Sequence, residues 1–369
     1  MESSPDLVDY LTRTSEIGGS DLHLAVGAPP VARVHGSLVA LSEQPLDGND
    51  TRDLILAILT SSQRSRLERE WHLDLGLEIE NLGRFRGNVH FVRGQWEAAF
   101  RVIAGVIPEL ETLGHGIAVE QFCAAQQGLL LVTGITGSGK TTTLAAMTKK
   151  ISEQRSGVIV TLEDPIEYRF NHSNALVKQR ELGTDFHNFA EGLRSAMRQD
   201  PDVIVVAEMR DLETVSTAIT AAETGHLVIS TLHTIDAPKS IDRVVDVFPP
   251  EQKHFIMAQL ANCLIGVISQ RLLPRADGAG RVMASEVMVV NSGIRTAIRE
   301  GKTQLLPGMI EIGGNAQMHT IDESLQHLMS EGYISEEEAA VHSRNPVAIH
   351  ELAEQLREEP KQRRGFLRR

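Results

Sequence analysis

The residues 134–141, Gly-Ile-Thr-Gly-Ser-Gly-Lys-Thr, fit the pattern G-x-x-x-x-G-K-[ST] in full. In this pattern the glycines let the backbone curl until successive N–H groups face phosphate oxygens. The helical run that follows, Thr142 to Met147, adds the partial positive charge of its N-terminus. Gly134, Thr136, Gly137, Ser138 and Gly139, followed by Lys140, Thr141 and Thr142, are therefore the expected cradle for a nucleotide. The Lys140 ammonium reaches the outer phosphates, and the Thr141 hydroxyl binds Mg2+. Cutting the triphosphate needs more: a base for water, an acid near the metal, and charge for the transition state. Glu163 ends the run Val158-Ile159-Val160-Thr161-Leu162, and Glu208 ends Val203-Ile204-Val205-Val206-Ala207. A carboxylate at the C-terminal end of a parallel strand lies on the ligand-binding edge. Glu163 is placed to polarise a water and Glu208 to hold one bound to metal. His226 and His233 flank one more apolar run. Seven residues apart, they stand about 23 Å from each other on an extended strand, too far to share a metal. His233 falls at the ligand-facing end.

These groups need a particular scaffold. The apolar runs 129–133, 157–162, 203–207 and 227–231 alternate with helix-length segments and are bounded by Gly, Asp or Pro. That alternation predicts a parallel sheet with crossover helices, an α/β fold. Upstream, residues 20–26 alternate apolar and polar, Gly27 and Pro29-Pro30 turn the chain, and 31–36 return as a hairpin-like partner. Residues 53–59 have helical spacing, and 82–92 and 98–103 read as strands. A small α+β domain over 1–105 and a larger one over 106–369 are expected, with the break among the Gly, Pro and acidic residues near 105–108. After about 285 the pattern is mostly helical, and the last ten residues are charged.

The composition narrows the possibilities. A chain of 369 residues, 41% hydrophobic and 23% charged, predicts more than one folded domain. The net charge of −13 and a 4% aromatic content offer no basic groove and no stacking platform for nucleic acid. Cys123 and Cys263 are too few for a four-cysteine zinc module and are expected as buried, reduced thiols. No run approaches the roughly 18 apolar residues of a membrane span, and the N-terminal stretch lacks a secretory pattern. A soluble, cytoplasmic protein that meets a membrane only through a partner is the expectation. The basic end, Lys361 to Arg369, is expected as a solvated tail.

Several motifs in order resemble one family. Asp21-Leu22-His23-Leu24 with Gly27-Ala28-Pro29-Pro30, the loop 134–141, Thr161 to Glu167, Arg198 to Asp202 with Glu208 to Asp211, Thr224 to Thr234, and Gly293 to Glu300 are together similar to the PilT-type retraction ATPases of type IV pili. Those belong to the type II and type IV secretion ATPases. The resemblance spans nearly the whole chain. It implies a RecA-like P-loop NTPase core carrying a smaller PAS-like N-terminal domain, and a hexameric ring with ATP and Mg2+ between subunits. It implies Glu163 as catalytic base, Glu208 as the acid acting on Mg2+, and His226 and His233 as the histidine pair. It also implies arginines reaching the nucleotide: Arg84, Arg86 and Arg101 from the N-terminal domain, Arg194 and Arg198 from the core. The partners it implies are copies of the chain itself, an inner-membrane pilus platform protein and a paralogous motor ATPase. The chain departs from the family pattern at Ile135, where Pro is usual, at Ala207, where Gly is usual, and in Gly293-Ile294-Arg295-Thr296-Ala297, where Ala-Ile-Arg-Asn-Leu is usual.

The leading reading is a motor that drives pilus retraction by ATP hydrolysis. An assembly or secretion ATPase, and an accessory ring subunit that binds ATP without cutting it, are the alternatives. A nucleic-acid translocating ring is disfavoured by the charge and by the few aromatics.

Overall fold

The computed structural model describes residues 6–34, 36–80, 82–103, 105–278 and 280–366, with side chains as far as 357. Two compact units are present. The first comprises Met1–Ile107 and Asp164–Arg169, the second Pro108–Glu163 and Phe170–Arg369.

In the first unit, β1 (Asp21–Leu24), β2 (Val31–Val34), β3 (Ser37–Ala40), β4 (His72–Ile79), β5 (Gly83–Val92) and β6 (Gln95–Ile103) form one sheet in the order β3-β2-β1-β6-β5-β4. Every pairing is antiparallel, and Asp21 stands opposite Arg33, as the hairpin reading anticipates. Alternation along the strands gives the sheet two unlike faces. Leu22, Leu75, Phe85, Val89 and Phe100 are buried in one core with Leu7, Tyr10, Leu11, Ile55 and Leu67, which come from α1 (Leu7–Glu16), α2 (Gly48–Leu56) and α3 (Ser61–Glu70). Each helix starts with a reciprocal capping box, on Asp6, Asp47 and Thr60 respectively, which satisfies N–H groups the helix cannot. The other face is polar. The sequence reading of a single break near 105 did not foresee that 164–169 belongs to this unit. Within the unit Glu167 pairs with Arg86 at 3.7 Å and Arg169 with Glu78 at 2.7 Å.

The second unit is built on β7 (Gly128–Thr133), β8 (Gly157–Glu163), β9 (Ala175–Glu181), β10 (Val203–Val206), β11 (Leu227–Leu232), β12 (Leu264–Pro274) and β13 (Arg281–Val289). Their order is β13-β12-β7-β11-β10-β8-β9. All neighbours are parallel except β12 and β13. β7, β10 and β11 are buried at every residue, which is why they read as unbroken apolar runs rather than alternating ones. Helices α4 (Ile117–Cys123), α5 (Lys140–Gln154), α6 (Phe189–Ala196), α7 (Leu212–Glu223), α8 (Ala237–Asp246) and α9 (Pro250–Cys263) connect the strands, and α10 (Ser292–Arg299) and α11 (Leu306–Glu311) follow β13. A separate small core gathers Leu325, Ile334, Ala339 and Ile349 where α12 (Ile321–Ser330), α13 (Glu336–His342) and α14 (Pro346–Phe366) meet. The side chains of the basic end lie outside the described residues.

Cys123 and Cys263 are buried and free, and burial pushes each thiol up to about 12. Among the described residues no helix is long and apolar enough to cross a membrane.

Candidate active site

The loop after β7 begins with Gly134 at φ 148°, and Gly139 at φ 89° leads into α5. Backbone at these angles strains any residue with a Cβ. At Gly134 there is also no room, because a Cβ would lie 2.4 Å from the Gln270 carbonyl oxygen and 2.5 Å from Ser138 Oγ. The glycines are thus demanded both by the turn and by the neighbouring strand β12. Ser138 is buried, while Ile135, Thr136 and Gly137 are exposed at the loop tip. Ile135, the position at which the family pattern has Pro, points to solvent. The Lys140 ammonium donates to the Gly134 carbonyl at 2.8 Å and to the Ile135 carbonyl at 3.0 Å. Burial pushes its pKa below the ordinary lysine value, and the attraction of Glu208 pulls the other way. Thr141 is exposed and Thr142 half-buried in the first turn of α5.

The parallel register carries the remaining groups to the same edge. β11 lies beside β7 and β10 beside β11, so the residues that follow their C-terminal ends flank the loop. Glu208 follows β10, and His233 follows β11. His233 Nε2 lies 3.4 Å from Glu208 Oε2, and Arg210 pairs with the other oxygen of the same carboxylate. With Met209, Thr231 and Thr234 they line an open pocket of 340 Å³. The strand ends are fixed by Ser230 Oγ, which donates to the Val206 carbonyl at 2.8 Å, and by Thr231 Oγ1, which donates to that of Ala207.

Glu163 closes β8, the next strand beyond β10. Thr161 Oγ1 donates to its Oε1 at 2.6 Å, and Gln179 Nε2 on β9 donates to the same oxygen at 3.0 Å. Two donors hold the carboxylate in one orientation, a requirement for a group that must accept a proton from a defined direction.

The structure does not bring every predicted residue to this edge. His226 precedes β11 and sits where the strands begin, its Nδ1 3.0 Å from the Ala221 carbonyl. Arg198 lies just past α6, on the approach to the start of β10, and is exposed. Arg194 pairs with Glu213, in the first turn of α7, at 3.8 Å. In the first unit, Arg84 and Arg86 alternate along β5 and Arg101 faces Arg86 across β6, so all three share the polar face. Each has a carboxylate neighbour: Glu78 for Arg84 at 3.4 Å, Glu167 for Arg86, and Asp21 for Arg101 at 2.9 Å.

Sequence reading missed three residues that shape the site. Gln179 orients Glu163, and Gln270 and Arg281 bond the loop from β12 and β13. The apolar run 264–268 marks β12, but nothing in the sequence tells which polar residue on it turns toward the loop.

A largely parallel sheet with a phosphate loop after the inner strand β7, and histidine and acidic side chains after the next two strands β11 and β10, defines a P-loop nucleotide-binding protein. A family model described as type II/IV secretion system protein matches residues 109–332. The type IV pilus retraction ATPase PilT of Pseudomonas aeruginosa is 43% identical over 92% of this chain and 99% of its own. A twitching motility protein of Neisseria gonorrhoeae is 40% identical over 91% and 90%. A crystal structure of the pilus retraction motor PilT with bound ADP superposes with a TM-score of 0.87, at 43% identity, over 94% of this chain and 99% of that one. The chain belongs to the type II/IV secretion system protein family, and these full-length relatives put it in the PilT-type group.

Proposed function

We propose that this chain is an ATP-hydrolysing motor that drives type IV pilus retraction as a hexameric ring. The observation that carries the reading is the convergence of Lys140, Glu208 and His233 at one strand edge, in a chain that aligns end to end with a retraction ATPase. In this reading the loop 134–139 cradles the phosphates and Lys140 leaves its carbonyl partners for the outer phosphate oxygens. The Thr141 hydroxyl and the Glu208 carboxylate are hard oxygen donors that suit Mg2+, Glu208 acting through water. Bound there, the ion neutralises charge building on the phosphates. Glu163, oriented by Thr161 and Gln179, takes the proton of the attacking water. His233 senses the outer phosphate and reports it to Glu208. Arg84, Arg86 and Arg101 are the candidates to reach a neighbouring subunit's nucleotide. His226, as the second box histidine, and Arg194 and Arg198, as core arginines toward the nucleotide, are carried only by the family resemblance, since in one chain they lie away from this edge.

The partners in this reading are further copies of the chain, an inner-membrane platform protein that docks the ring on the cytoplasmic face, and a paralogous motor. The type IV pilus ATPase PilU of Pseudomonas aeruginosa is 33% identical over 89% of this chain, so one organism carries two relatives of this chain. The test is deletion of the gene in a piliated host. Surplus surface pili that fail to shorten, restored by the wild-type chain and not by Lys140→Ala, are expected. Bald cells would instead assign the chain to assembly.

A further inference from the structure

The phosphate loop is gripped from outside by two strands that supply no expected ligand. Gln270 on β12 is 1% exposed, and its Nε2 donates to the Ser138 carbonyl at 2.7 Å. Its main-chain oxygen and its amide nitrogen are the atoms that would meet a Cβ on Gly134 and on Gly139, at 2.4 and 3.2 Å. Arg281 on β13 donates to the preceding loop carbonyl, that of Gly137, at 3.4 Å. One strand position further, Arg271 donates to the His342 carbonyl, at the end of α13, at 2.8 Å. β12 is therefore bonded to the phosphate loop and to the C-terminal helices through consecutive side chains.

We propose that Gln270 is a positioning residue for nucleotide binding: its amide holds the Ser138 carbonyl outward and thereby aims the Gly139 N–H into the cradle. The reason is peptide geometry. In a planar trans peptide the C=O and the following N–H point in opposite directions. Fixing one fixes the other, and a donor held before the ligand arrives contributes more than one that must be ordered on binding. The inference rests on the phosphate-loop reading given above. The Gln270 Oε1 is buried with no hydrogen-bond partner among the described residues. The residue's polar tie to its surroundings is thus directed at the loop.

The role predicts a specific pattern. The peptide faces phosphates common to ADP and ATP, so losing the tie weakens both alike and leaves the chemical step nearly alone. Fluorescent ADP and ATP analogues are titrated into the purified full chain and its Gln270→Leu, Gln270→Glu and Lys140→Ala variants, with ATP turnover and melting temperature measured in parallel. Gln270→Leu is expected to raise both dissociation constants and KM about tenfold with kcat within about threefold, as expected for one lost buried hydrogen bond. Gln270→Glu keeps the shape but donates only when protonated. Its affinity is expected to fall as pH rises, over a range in which the wild type holds steady. If Lys140→Ala loses nucleotide and Gln270→Leu binds within twofold of wild type, the inference is overturned alone. If Lys140→Ala binds like wild type, the phosphate-loop reading falls and takes this one with it. Should Gln270→Leu fail to fold, the pH profile of Gln270→Glu decides: a profile parallel to wild type overturns the proposal.

Discussion

His233 Nε2 and Glu208 Oε2 stand 3.4 Å apart across the ends of two adjacent parallel strands. The contact joins a group that can meet the outer phosphate to a group that can act on the metal. His233→Ala is expected to lower ATP turnover about tenfold to a hundredfold while ADP affinity changes little, because in the proposed role the imidazole engages the γ-phosphate that ADP lacks. Phosphate release and ADP titration on the same protein measure both. Equal loss of ADP and ATP binding would remove His233 from a sensing role.

Glu163→Gln keeps the acceptor that Thr161 and Gln179 hold but removes the basicity. Turnover is expected to fall by about 10² to 10⁴, the usual worth of a positioned general base. Nucleotide binding is expected to survive, so the variant should trap ATP. Turnover that persists at wild-type rate sinks the assignment.

Gly134→Ala places a methyl 2.4 Å from the Gln270 carbonyl at a backbone angle that disfavours it. Overpacking of this kind costs about 1–3 kcal/mol. The expected outcome is a lowered melting temperature together with weakened binding of both nucleotides. A variant with wild-type affinity would show that the loop adapts without the β12 wall.

His115 is buried, with its Nε2 3.0 Å from Thr143 Oγ1 on α5, and burial pushes its pKa down to about 3. The unfolded chain takes up a proton near the ordinary value of 6.5, while the folded chain does not. Between these values the unfolded state binds more protons, so stability falls as pH is lowered from 6.5 toward 3. The slope contributed is at most about 1.4 kcal/mol per pH unit. Urea midpoints from pH 7 to 4.5 should fall less steeply for His115→Gln than for wild type. Parallel slopes would mean that the folded protein protonates this histidine.

How legible all this is in the sequence depends on what each residue answers to. The phosphate loop is legible because strand, glycines and helix are contiguous and local. Glu163 and Glu208 are legible because the apolar runs of β8 and β10, buried along their middle or throughout, announce their own ends. β9, with Lys178, Gln179 and Arg180 in a half-buried strand, carries no apolar run and escapes notice. Gln270 escapes for another reason: its partner, Ser138, is 132 residues away. The grouping of Asp164–Arg169 with the first unit rests on contacts formed only after folding, among them Glu167 to Arg86 and Arg169 to Glu78.

The three arginines on the polar face of the first sheet are each already matched to a carboxylate. In the proposed motor, a phosphate arriving at any of them would compete with Glu78, Glu167 or Asp21 for the guanidinium, an exchange of one anion for another rather than the filling of an empty cation. The carboxylates would stay at hand to take the charge back when that phosphate leaves.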